Sequence, residues 1–145
     1  LCSAQMFDTT GSPTNFIPLG GQFHLRIGLN VPDVIDYPFI GVGIDDMMGQ
    51  RVLTVHTPLS REEVRRVAGR CAVDCRIPDL PLAPGEYWVK ITIAARGAPV
   101  DSEDRTFHFT VLNGELFDTG LGFSRGVCIA RSEWGLVCES QAIGV

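Results

Sequence analysis

Residues 39–57, FIGVGIDDMMGQRVLTVHT, read as strand, tight turn, strand. Ile40, Val42 and Ile44 alternate with Phe39, Gly41, Gly43 and Asp45, which is the two-residue period of a half-buried strand. Asp45-Asp46-Met47-Met48-Gly49 has the length and composition of a hairpin connection. Arg51 to His56 resumes the pattern with β-branched residues, but Val52 and Leu53 are both apolar and leave its register open. A single hairpin cannot bury its apolar face, so more strands and a second layer must follow.

Further strands lie on both sides of it. Glu86 to Ala95 turns Tyr87, Val89, Ile91 and Ile93 inward and Trp88, Lys90 and Thr92 outward. Arg105 to Leu112 sets Phe107, Phe109 and Val111 against Thr106, His108 and Thr110, and Gly97 to Asp104 reads as the polar turn before it. Upstream, Gln22 to Val31 alternates cleanly, and Pro32 is expected to end it because proline cannot donate to a ladder. Cys71 to Ile77 alternates again, and Met6-Phe7-Asp8 fits a short edge strand. Val127 to Ala130 and Leu136 to Glu139 fit a last hairpin around Glu133-Trp134-Gly135. One helix signal stands out: Ser60 and Glu63 form a capping box, Leu59 and Val64 a hydrophobic staple, and Gly69 a stop. The whole predicts an all-β chain, an antiparallel β-sandwich of Ig-like or jelly-roll topology, with one short surface helix at 61–68.

A chain of 145 residues that is 45% hydrophobic suits a single domain with a proper core. The formal net charge is −5 and no basic stripe occurs, which argues against nucleic acid as a partner. No apolar run approaches a membrane span and no signal peptide is visible. The chain starts Leu1-Cys2, so it is expected to be a piece of something longer. Its five cysteines make no disulfide framework. Cys71 and Cys75, four apart in a strand, would sit roughly 13 Å apart, too far to bridge. They read as small buried hydrophobes in a reducing compartment. Cys128 and Cys138 could face each other across the last hairpin, and whether they pair stays open.

Catalytic patterns are missing. There is no phosphate-cradling glycine loop with Lys-Ser/Thr, no G-x-S-x-G elbow and no Cys-x-x-Cys knuckle. His24, His56 and His108 fall on separate strands without metal spacing, and the carboxylates of Asp45-Asp46 and 101–104 fall in predicted turns. No catalytic residue, metal or cofactor is expected. The outward positions of the central strands are more informative. Gly41 and Gly43 would leave a trough, lined by Asp45, Gln50, Thr54, His56, Trp88, Lys90, Thr92 and His108. An aromatic face with fixed polar groups suits a sugar: the ring stacks on the apolar side and the polar groups take the hydroxyls. Pattern alone favours a plainer reading, in which Trp88 is covered by the C-terminal segment and the glycines relieve crowding.

Three runs carry a resemblance. They are Phe39 to Asp45 with Gly49-Gln50-Arg51-Val52 and Thr57; Ile77-Pro78 to Leu82 with Pro84-Gly85-Glu86-Tyr87-Trp88-Val89; and Phe107-His108-Phe109-Thr110-Val111 with the Gly126 to Trp134 ending. In this order and spacing the chain, from about Gly20 onward, resembles the C-terminal carbohydrate-binding domain of O-antigen polysaccharide ABC-transporter ATP-binding subunits, the Wzt type. The resemblance implies an Ig-like sandwich joined in the full protein to an ATPase domain absent here. It implies a non-catalytic, cytoplasmic module, peripheral to the inner membrane, that recognises the end of a lipid-linked polysaccharide for export through a permease. Members can form homodimers by exchanging a C-terminal strand. The family often closes the second hairpin strand with Asn-Thr, where this chain has His56-Thr57. The candidate sugar contacts come from the outward strand positions and not from the resemblance: Trp88, His56, His108, Thr54, Lys90 and Asp45. The alternative is an interaction or dimerisation sandwich without a glycan, with Trp88 and Trp134 in the subunit contact.

Overall fold

The computed structural model describes residues 3–59, 64–95, 98–114, 126–130 and 132–137. Among the described residues eight strands follow in order: β1 (Ser3–Met6), β2 (Phe16–Pro18), β3 (Phe23–Asp36), β4 (Phe39–Asp46), β5 (Arg51–His56), β6 (Arg66–Ile77), β7 (Gly85–Ala95) and β8 (Ala98–Leu112). They form a three-stranded sheet, β1-β3-β6, and a five-stranded sheet, β2-β8-β7-β4-β5. Every pair is antiparallel except β2 with β8. The expected all-β sandwich is present.

The alternation read from the sequence explains the core. Phe23, Leu25 and Ile27 from β3 are fully buried with Ile44 from β4, Val89 and Ile91 from β7, and Phe109 from β8. Each such side chain contributes about 1.5–3 kcal/mol of transfer free energy. Phe23 meets Phe109 edge-on between the sheets, with ring centroids 5.6 Å apart. Tyr87 stacks on Phe109, and its hydroxyl donates to the Ala83 carbonyl at 2.6 Å. Burial pushes that phenol's pKa up, which keeps the proton in place to donate.

Four expectations are corrected. The surface helix at 61–68 is not seen in its described part. Val64 and Arg65 are irregular, Arg66 to Ala68 open β6, and residues 60–63 lie outside the described ones. The reason is a partner that the local caps could not reveal. Val67 pairs with Ile35 and is 3% exposed, while Arg66 pairs with Asp36 and bonds its carboxylate at 2.8 Å. Tertiary pairing outweighs a weak helix propensity. Pro32 does not end β3 either. The ladder passes from Val31↔Gly69 to Ile35↔Val67, so residues 32–34 bulge against Ala68 alone, and the missing N–H of proline is accommodated there.

Of the polar turn expected at Gly97 to Asp104, Gly97 lies outside the described residues and 98–104 are strand, because β7 and β8 stay paired from Ala95↔Ala98 to Ile91↔Glu103, with a register shift between Ile93 and Ala94. The last hairpin is also replaced, as far as it is described. Leu82 bridges Cys128, the Ile129 N–H donates to the Pro81 carbonyl at 2.8 Å, and residues 132–137 carry no ladder. Cys138 and Glu139 lie outside the described residues, and Cys128 is an exposed free thiol. Cys71 and Cys75 are half-buried free thiols packed against the core, as small hydrophobes should be.

Candidate functional site

Two ladders bring the predicted residues onto one face. β4 lies between β5 and β7, and its small or acidic positions pair both ways. Gly41 faces His56 and Thr92, Gly43 faces Thr54 and Lys90, and Asp45 faces Arg51 and Trp88. On the far side Trp88 pairs with His108, and Glu86 with Thr110. Directly opposed residues share a face, so Asp45, Thr54, His56, Trp88, Lys90 and His108 all stand on the outer side of the five-stranded sheet. The inner side of the same strands is the core. Thr57 secures the hairpin's far end: its hydroxyl donates to the Pro38 carbonyl at 3.1 Å and accepts from the Ile40 N–H at 3.2 Å.

The glycine floor is not an empty trough. A Cβ on Gly43 would collide with the Arg51 guanidinium, and one on Gly41 would come within 3.1 Å of Phe39 Cε1. Both glycines make room for side chains that lie across them. Arg51 donates from Nε to Asp45 Oδ1 at 2.5 Å and from a terminal nitrogen to Thr54 Oγ1 at 3.3 Å. A register shift after Ile44 puts Arg51, not Gln50, opposite Asp45. Gln50 belongs to the turn instead, where its N–H and that of Met48 each donate to Asp46 Oδ1 at 2.9 Å. Leu53 and Val55 take the inward positions, which settles the open register.

Aromatic pairs stand at both ends. Trp88 and His108 meet edge-on at 5.3 Å, and His108 Nε2 lies 3.7 Å from Glu86 Oε1. Phe39 and His56 lie at 5.1 Å with a 32° tilt. His56 Nδ1 is shielded from solvent and makes no hydrogen bond. Arg51, Phe39 and Glu86 are the members of this face that the sequence reading missed. The opposite charges of Asp45 and Arg51 across a short hairpin were a usable signal for one of them. The other two share the two-residue period of Gly41 to Asp45 and of Trp88 to Lys90, and that alternation was the signal for them.

His24 is elsewhere, buried on the outer side of the three-stranded sheet beside Phe7 and Asp74. Among the described residues no group of His, Cys, Asp or Glu could hold a metal ion. An open recess of about 360 Å³ between Gln5, Pro13, Thr14, Asn15 and Phe16 lies by β1 and β2 and holds only amide and hydroxyl groups beside its apolar atoms. No helix among the described residues is long and apolar enough to cross a membrane.

These features define a class: a two-sheet, all-β sandwich that carries a polar, aromatic-flanked outer face on its larger sheet. More narrowly, the chain belongs to the Wzt C-terminal domain family, whose model matches residues 2–123. A solved structure, the crystal structure of the C-terminal domain of wzt, superposes with a TM-score of 0.75 at 16% identity, over 93% of this chain and 81% of that one. At that identity the likeness speaks for the fold alone. No curated protein matches.

Proposed function

We propose that this chain is the carbohydrate-recognition module of a polysaccharide transporter subunit. It would hold the end of a lipid-linked O-antigen-type glycan without altering it. The observation that carries this reading is the register, which sets Trp88, His108, Asp45, Lys90, Thr54 and His56 side by side on one face. Family membership supports it. In the full protein the module would follow an ATPase domain, act at the cytoplasmic side of the inner membrane and work with a permease. Single sites of stacked rings and exchanged hydrogen bonds bind weakly. A homodimer would raise the grip through effective concentration.

Calorimetric titration with the cell-surface polysaccharide of the organism that carries this chain tests the proposal, beside an unrelated polysaccharide. Binding of the matched polymer alone is expected, weakened about tenfold or more in Trp88→Ala. A folded wild-type chain that binds neither polymer would sink it. A second reading, a dimerisation sandwich without a glycan, is favoured by Trp134, Leu136 and Val137, which are more than nine-tenths exposed. Under that reading Trp88→Ala changes the oligomeric mass and leaves any glycan binding untouched.

A further inference from the structure

The face has a length as well as a chemistry. The Trp88–His108 pair sits in the row of Asp45, and the Phe39–His56 pair sits over the row of Gly41. Four residues of strand separate those rows, roughly 13 Å at about 3.3 Å per residue. One sugar ring cannot touch both pairs. Two or three linked rings, laid along the strand direction, would.

What lies between suits hydroxyls. The middle row is Thr54, Gly43 and Lys90, with the Arg51 guanidinium lying on Gly43. A guanidinium has five N–H donors, and among the described residues two of Arg51's are engaged, by Asp45 and Thr54. Those two bonds fix its plane before a ligand arrives, so little side-chain freedom is left to lose on binding. Among the described side chains of the face, Arg51 and Lys90 balance Asp45 and Glu86 in formal charge. A neutral chain meets no net field there.

Resting on the reading of this face as a glycan site, we propose that it takes a linear stretch of two or three linked neutral sugars. One ring lies against Trp88–His108 and another against Phe39–His56. Arg51 is the hydrogen-bond donor at the centre that sets the spacing between them. The orphaned His56 Nδ1 is a polar atom that an arriving hydroxyl would satisfy after a small ring rotation.

The probe is the same cell-surface polysaccharide, cut by partial acid hydrolysis and sized into fragments of increasing ring number. Calorimetry on the intact chain should show affinity rising about tenfold or more from one ring to three, then levelling off. Phe39→Ala and Trp88→Ala should each cut three-ring binding about tenfold and weaken one-ring binding far less, because a single ring keeps the other platform. If Phe39→Ala does not fold, His56→Ala removes the other half of the pair and is read the same way. Full affinity for a single ring, or equal loss at every length in the Phe39 or His56 variant, overturns the two-platform site. Failure of the wild type to bind the intact polymer removes the glycan reading itself, a different result from length-independent binding.

Discussion

Cys75 and Cys128 carry the same thiol in opposite surroundings. Cys75 is half-buried under the three-stranded sheet, and burial pushes its pKa up to about 11. Cys128 is exposed. Because the thiolate is the nucleophile, native protein at pH 8 should label rapidly with iodoacetamide at Cys128 and hardly at all at Cys75. Peptide mass mapping reads this, and equal labelling would contradict the packing of β6. The burial of the cysteine was legible from its place in an alternating strand. The glycines were legible only in part. Two side-chain-free positions on one face marked the site, but not that Arg51 and Phe39 lie across them. That depends on a one-residue bulge in the β4–β5 ladder, which no two-residue period can register.

At the scale of elements, β3 and β6 hold their register by hydrophobic rows on one side and by charge on the other. Arg26 donates to both Asp74 oxygens, at 2.9 and 3.2 Å, and Arg76 approaches at 3.7 Å. His24 Nε2 comes within 3.3 Å of the same carboxylate without a hydrogen bond's alignment. Chiefly through the Arg26 hydrogen bond, and against partial burial, the Asp74 carboxyl is held below its ordinary value of 3.8. A carboxylate whose folded pKa is depressed stabilises the fold above its unfolded pKa and loses that contribution as pH falls through the folded one. Asp74→Asn should therefore melt lower than the wild type at pH 7, and the gap should close below about pH 4. A gap unchanged at pH 3 would mean the carboxylate's charge is not what matters. The same pair of strands marks the limit of local reading. Capping at 60–63 looked helical because caps are local, whereas the partner of Val67 lies thirty-two residues upstream at Ile35. The short β2 escaped notice for a related reason, since three residues are too few to display a period.

At the scale of the molecule, the segment after Ile129 poses the remaining question. Ile129 is buried and the chain is tied there to residues 81–83, yet Trp134, Leu136 and Val137 stand 93%, 91% and 93% exposed. If two copies exchange this segment, six large apolar side chains leave water, at about 1.5–3 kcal/mol each. Association itself costs about 4–15 kcal/mol, so the balance predicts a dimer that is weak and depends on concentration. Light scattering should show the mass rising toward twice the monomer as concentration increases, and a chain ended after Ala130 should stay monomeric. Because the described residues of this segment, 132–137, are not part of the core, the shortened chain should keep nearly the same melting temperature. Its affinity for a single glycan fragment should be unchanged, while its hold on a surface densely coated with the polymer should fall, since one site alone gains nothing from effective concentration. A shortened chain that remains dimeric would place the contact on another surface. One that loses fragment binding as well would put the tail against the Trp88 face, and so make the plainer reading of that tryptophan the right one.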